Sequence, residues 1–466
     1  MVMFSKDIYT KRRTELIKRV GNGIILLLGN SEAPCNYPSN TYKFRQDSSF
    51  LYYTGINSPG LALLMDAESG EQILFGNNAD IDDIIWMGPQ PSTEDFARSC
   101  GIEKAEQLSD LDIYIKTALS QGRKLHFLPP YRNHNRIFLN ELTSFPIHEL
   151  KGRASVELIK AIVEMRLVKE ECEVTEIEKA CEIGYAMHYT VMKMAKIGVK
   201  EQTLYGIMEG IAHSQGAMTS FATILSQNGE TLHNHSHNQT LTDGRMLVID
   251  AGAENQMNYC SDFTRTLPCG GKFTEQQKNI YRIVSMANDM GQSLSRPGVA
   301  YKDVHLNVCR LISRELINLG IMKGNAEEAV AAGAHALFMP HGLGHNMGLD
   351  VHDMEDLGED YVGYDNLYKR SSQFGLSSLR MGKMLARGNV VTVEPGIYFI
   401  PALIDKWKAE KINGQFINFT ELEKYRNFGG IRLEDDILIT DSGCRRLGSR
   451  RLPITPEDVE EQMREN

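Results

Sequence analysis

The chain has 466 residues, 42% of them apolar and 24% charged, with a formal net charge of −10. That length exceeds what one hydrophobic core usually serves, so two domains are expected. The acidic balance and the lack of a basic stripe interleaved with aromatics argue against nucleic-acid binding, and no apolar run approaches the ~18 residues of a membrane span.

The opening stretch MVMFSKDIYTKRRTELIKRV carries charges throughout and no apolar segment followed by a small-residue cleavage site, so no secretory signal is expected. Within it, Tyr9 to Val20 predicts a short amphipathic helix with Leu16, Ile17 and Val20 on its apolar side. GIILLLG at 23–29 predicts a buried strand closed by glycine. FLYYTGI (50–56), LALLM (61–65) and QILF (72–75) follow as further short strands, separated by Pro-Gly and Ser-Gly turns. Short strands with intervening polar helices predict an α/β first domain over residues 1–155. FPIHELKGRAS then supplies a proline, a glycine and a polar linker, which places the boundary at 155/156.

Beyond Ser155 a charged stretch returns apolar residues every three or four positions, including Ile177, Ala180, Ile183 and Met187, and predicts a long helix. Further helices are expected over 274–294, opened by Thr274 with Glu275 and Gln277 nearby, and over 302–319. Long helices alternating with strands predict an α+β second domain, residues 156–466.

Five potential metal ligands interrupt or end apolar runs in this second half. MLVIDAG ends a strand in Asp250, and Asp262 follows twelve residues later, close enough for a hairpin to bring both carboxylates together. Even spacing does not fix a shared face, because a bulge would break the register. VVTV delivers Glu394 immediately before Pro395-Gly396. In Ile431-Arg432-Leu433-Glu434, strand alternation points Arg432 and Glu434 the same way, so the arginine is expected beside that carboxylate. Asp436 shares this parity and ranks as a supporting or turn residue. PHGLGHNMGLDVHD concentrates His341, His345 and His352 among glycines that permit close backbone packing. His233, in ETLHNHSHN, is a substrate-contact candidate, whereas His235 and His237 read as a solvated loop.

Asp250, Asp262, His345, Glu394 and Glu434 form a hard, oxygen-rich set with one nitrogen. Such a set suits two divalent cations bridged by carboxylates better than one structural zinc. Ionised carboxylates beside core strands are costly to bury alone, and coordination removes that cost. The eight cysteines contain no CxxC pair and are expected as free thiols in a reducing, cytoplasmic setting. Cys260, two residues before Asp262, reads as a packing residue, because a thiolate is soft where its neighbours are hard.

LHN (232–234), DGRMLVIDAG (243–252), SDFTRTLP (261–268), HGLGHNMGLDVHD (341–353), VEPGIYF (393–399) and GGIRLEDD (429–436) together resemble the aminopeptidase P and prolidase group of proline-directed metallopeptidases. FRQDSSFLYYTG (44–55) resembles the accessory domain of the same group, so the likeness runs over almost the whole chain. The resemblance implies a pita-bread catalytic fold carrying two divalent cations, manganese first among them. It implies that Asp262 and Glu434 bridge the two ions, that Asp250 completes one, and that His345 with Glu394 completes the other. Hydrolysis of an Xaa-Pro bond follows, with Glu394 as proton acceptor and catalytic contributions from His352, His233 and Arg432. His233, His341, His352, Arg380 and Arg432 are the implied substrate-binding residues.

Two specificities fit. An Xaa-Pro aminopeptidase is favoured by the accessory-domain likeness. A prolidase, cleaving Xaa-Pro dipeptides, is the alternative: residues 399–432 look prolidase-like, and Arg380 in SSLRMG stands where a dipeptide carboxylate would be read. Asn228-Gly229-Glu230-Thr231 departs from the group's glycine-serine-glycine-glutamate-asparagine stretch. A metal-free creatine-hydrolase relative or a noncatalytic scaffold would not need all five ligands. Relatives of this kind imply assembly as at least a homodimer, with proline-containing peptides as the partners.

Overall fold

The computed structural model describes residues 3–464. They divide into two compact units, one running to Arg166 with residues 356–361, the other holding Leu167–Glu355 and everything from Val362 onward.

The first unit is built on a five-stranded mixed sheet. Ile24–Leu28 lies antiparallel to Ala62–Asp66, with Leu26 opposite Leu64, and parallel to the edge strand Leu125–His126. Gln72–Gly76 pairs antiparallel on the other side of Ala62–Asp66, and Lys104–Gln107 adds the far edge in parallel. Ile24, Leu26, Leu64, Ile73 and Phe75 pack against Leu111, Ile115, Leu139 and Leu142 from the helices that follow.

One expected strand is absent: FLYYTGI does not extend, and residues Ser48–Thr54 form a helix. Asp47 accepts a hydrogen bond from the Phe50 amide at its start, and Gly55 takes the left-handed conformation at its end. A segment buried on every side shows no period, so the caps and not the apolar pattern decide its form. Helix Val156–Leu167 belongs largely with this unit, since the Arg166 guanidinium donates to Ser49 Oγ and Tyr52 donates to the Met165 carbonyl. The compact division therefore falls between Arg166 and Leu167, whereas linker composition alone places it at 155/156.

The second unit contains the chemistry. Met246–Ala251 pairs antiparallel with Phe263–Pro268 and with Ile224–Ser226. Val390–Val393 pairs with Asp435–Ile439, and Gly396–Tyr398 pairs with Gly430–Arg432. A single bridge between Thr264 and Glu434 joins these strand groups. Helix Glu171–Met194 packs on Met246–Ala251 and Phe263–Pro268, with Ile177, Ala180, Ile183 and Met187 on its buried face. Helix Glu275–Leu294 packs on the strands at 390–393, 396–398 and 430–432. Thr274 caps it reciprocally, accepting from the Gln277 amide while the Gln277 side chain accepts from the Thr274 amide.

Candidate metal centre and substrate pocket

The hairpin register settles how Asp250 and Asp262 relate. Asp250 lies opposite Thr264, and Asp262 stands two residues before Thr264, so both carboxylates project from one face without a bulge. Gly252 makes the return possible: a Cβ there would lie 1.7 Å from the Ser261 carbonyl oxygen. The other candidate ligands arrive by similar close approaches. A Cβ on Gly344 would lie 2.1 Å from the Thr392 oxygen, and that contact docks the His345 loop on the strand leading to Glu394. The Thr392 amide donates to the His345 carbonyl across the same contact.

The five residues converge. His345 Nε2 is 3.4 Å from Asp262 Oδ2 and 3.8 Å from Glu394 Oε1. Asp262, His345 and Glu434 each offer a ligand atom within 4.8 Å of the other two. His345 Nδ1 donates to the Asn346 carbonyl at 3.0 Å, which leaves the Nε2 lone pair facing the carboxylates. Asp250 Oδ1, Asp262 Oδ1 and Glu434 Oε1 are buried and have no hydrogen-bond partner among the described residues.

Three unpartnered anionic oxygens beside an imidazole lone pair are what a divalent cation requires, so the residues fit the group. The electrostatics agree. Burial, then the charge of Asp250, pushes the Asp262 carboxyl well above its ordinary range. Burial, then the charge of Asp262, does the same to Glu434. Burial raises Glu394 against the pull of His345. Without positive charge in their midst, these carboxylates repel one another.

Arg432 does not pair with Glu434 as strand parity suggests. Its guanidinium donates to Asp250 Oδ2 at 2.6 Å, to the Tyr398 hydroxyl at 2.8 Å and, through Nε, to Thr264 Oγ1 at 3.1 Å. Parity gives the side of the strand but not the neighbour across the sheet, and here that neighbour brings Asp250 nearer. Burial works against the Arg432 charge, but Tyr398 and Asp250 outweigh it and hold its pKa well above the ordinary arginine value.

Thr264 and Tyr398 are contributors the sequence reading passed over. Thr264 donates to Glu434 Oε2 at 2.7 Å while accepting from Arg432, so it couples the arginine to a carboxylate it does not touch. Its placement in SDFTRTLP, two residues after Asp262, was the available signal. Tyr398 lies between Arg432 and His341, whose Nε2 is 2.9 Å from the hydroxyl. Burial pushes His341 down to about 4, so its ring is neutral. Its Nδ1 donates to the Gly342 carbonyl, and Nε2 accepts from Tyr398. Asp436 lies beneath the site, where its Oδ2 accepts from the Asp262 amide at 2.9 Å.

Around this cluster is a cavity of about 620 Å³, lined by all five convergent residues and by His233, His341, His352, Arg380 and Arg432. Phe221, Ile224, Leu232, Pro340 and Val351 give it apolar walls. The His352 ring stacks on His345 at 3.9 Å, and its Nδ1 lies 2.5 Å from Glu355 Oε2. Burial and the neighbouring His345 lower the His352 pKa despite that carboxylate. Glu355 also pairs with Arg380 at 3.1 Å, which ties the outer rim to His352. His233 and His235 line the cavity from an exposed loop. His237, expected with them in solvent, is instead buried, stacked 4.2 Å from the Tyr205 ring, with Nδ1 donating to the Leu225 carbonyl. An aromatic neighbour on a distant helix, invisible to local composition, draws it inside.

A carboxylate-rich centre with one imidazole, set in a strand-lined pocket of the second unit, defines a metal-dependent hydrolase. The chain belongs to metallopeptidase family M24, whose model matches residues 175–441, and the model of the aminopeptidase P N-terminal domain matches residues 9–126. It is 32% identical over 452 residues to an Xaa-Pro dipeptidase of Homo sapiens, covering 94% of this chain and 88% of that protein. It is likewise 32% identical over 475 residues to a probable Xaa-Pro aminopeptidase PEPP of Paracoccidioides brasiliensis, covering 98% and 96%. Among solved structures, proline aminopeptidase P II from Yersinia pestis superposes with a TM-score of 0.82 at 29% identity, over 99% of this chain and all of that one (100%). Among the described residues, no helix is long and apolar enough to cross a membrane.

Proposed function

We propose that the chain is an Xaa-Pro aminopeptidase, hydrolysing the bond between an N-terminal residue and proline, with Asp250, Asp262, His345, Glu394 and Glu434 holding two divalent cations, manganese by preference. The observation that carries this reading is the meeting of three unpartnered buried carboxylate oxygens with the free face of His345 on the floor of one cavity. When bound, such ions acidify a water and stabilise charge on the scissile carbonyl.

The chain's own residues supply the rest. Glu394, raised by burial, accepts the proton lost from the attacking water and returns it to the proline nitrogen as that group leaves. Water is consumed, and a free amino acid and a peptide beginning with proline are released. Arg432, held by Asp250, Tyr398 and Thr264, fixes the carboxylate that faces the substrate amine. His233 donates a hydrogen bond to the substrate near the scissile bond, His352, whose Nδ1 donates to Glu355, offers its Nε2 lone pair as an acceptor there, and His341 braces Tyr398. Proline has no amide hydrogen and a fixed φ, so its recognition falls to the shaped apolar walls.

The prolidase reading draws on a specific observation: Arg380, 41% exposed and paired with Glu355, lines the cavity that a terminal carboxylate would enter. Manganese-loaded protein assayed on Xaa-Pro-Xaa tripeptides, Xaa-Pro dipeptides and Xaa-Ala controls separates the two. Efficient tripeptide cleavage before proline supports the aminopeptidase, and cleavage of dipeptides alone replaces it with the prolidase.

Self-association is supported by the helix Ile81–Met87, where Ile81, Ile85, Trp86 and Met87 are all at least 68% exposed. A cytoplasmic location is supported by the eight cysteines, five of them buried, which form no disulfide among the described residues.

A further inference from the structure

Away from the catalytic pocket, three more potential ligands meet in the core of the second unit. His305 and Cys309 lie one turn apart on helix Tyr301–Asn318 and share a face. His335 comes from the 3-10 turn Ala334–Leu337, which packs on that helix. Cys309 Sγ is 3.5 Å from His305 Nε2, and the two imidazoles meet edge to face at 6.2 Å. One ligand atom from each residue lies within 4.8 Å of the other two. None of the three is more than 1% exposed, and none lines the catalytic cavity.

An unsatisfied group points to a ligand here. A neutral imidazole has one N–H donor and one lone pair, yet neither ring nitrogen of buried His335 has a hydrogen-bond partner among the described residues. Buried polar atoms are rarely left so. We propose that His305, Cys309 and His335 form a second metal site for one d10 cation of the Zn2+ or Cu+ type. Two imidazoles and a thiolate are much softer than the catalytic carboxylates, and they select such an ion over manganese or magnesium.

Burial holds His335 at about 4 and His305 at about 3, so each offers a nitrogen lone pair at neutral pH. Burial also pushes the Cys309 thiol well up, so its proton leaves only in exchange for the cation. On binding, Sγ gives up that proton to solvent and both imidazoles coordinate uncharged. The site ties the helix to the turn that leads directly into Phe338, His341 and His345.

The test begins with wild-type full-length protein refolded with Zn2+ or, under reducing conditions, with Cu+, then treated with EDTA to strip the catalytic ions. Anomalous diffraction at the two metal edges should place an ion between these three side chains, and the edge that responds identifies it. Refolding with Co2+ should give a thiolate-to-cobalt charge-transfer band that Cys309→Ala and His335→Gln both abolish, with manganese-restored peptidase activity kept. No peak at either edge, or a cobalt–thiolate band that survives Cys309→Ala, would overturn the proposal. Should either variant fail to fold, the wild-type diffraction arm decides alone.

Discussion

Replacing Thr264 with valine keeps the shape of the side chain and removes one hydroxyl. That hydroxyl donates to Glu434 Oε2 and accepts from Arg432 Nε. Arg432 would keep Asp250 and Tyr398, two of its three partners in the cluster. Glu434 would lose the contact that orients it, since Oε1 has no partner among the described residues. Hydrogen bonds to charged groups are worth about 1.5–3 kcal/mol, and loss of a group that orients a ligand typically costs about 10–100-fold in metal affinity or activity. Thr264→Val should therefore raise the manganese concentration for half-maximal activity by about 10–100-fold. Thr264→Ser, which retains the hydroxyl, should recover most of that loss. The assay is tripeptide turnover titrated with manganese after chelation, with thermal unfolding of the metal-free forms alongside. Metal affinity unchanged within about twofold in Thr264→Val would refute the reasoning.

Glu394→Gln should cut turnover by about 100- to 10,000-fold, the range for losing a positioned proton acceptor, even where metal analysis shows equal occupancy. Tyr398→Phe removes a hydroxyl shared by Arg432 and His341; kcat/KM should fall about tenfold, corresponding to ~1.4 kcal/mol, with metal content unchanged. Arg380→Ala should raise KM for dipeptides and leave longer peptides nearly unaffected, which kinetics on both substrate lengths will check. His188 is buried, with Nε2 donating to the Ala251 carbonyl, and burial pushes it down to about 4. The unfolded chain takes up this proton below about 6.5 and the folded chain does not, so stability is full above that value and falls with pH down to about 4. Urea unfolding of the metal-free protein should show a His188 contribution lost by about 2 kcal/mol from pH 7 to pH 5, and His188→Gln should flatten that part of the profile.

The candidate ligand set was legible because each member stands at a strand end or in a glycine-rich turn, where an isolated charge is hard to explain by packing. Asp250 after MLVI and Glu394 after VVTV carry that signal in a few residues. The partners of those ligands were not legible, because they depend on which strands lie side by side. The Arg432–Asp250 pair joins residues 182 positions apart, and Thr264 meets Glu434 through a single bridge. Local composition also misled at residues 50–56, where an apolar run with no period gives equal support to strand and helix. There the deciding signal was Asp47, an N-cap just outside the run.

Anomalous diffraction at the manganese edge from a manganese-loaded crystal addresses the dinuclear centre most directly. Two peaks roughly 3–4 Å apart, between Asp250, Asp262, His345, Glu394 and Glu434, are expected. One peak alone, or none, from fully loaded protein active on Xaa-Pro tripeptides would contradict it.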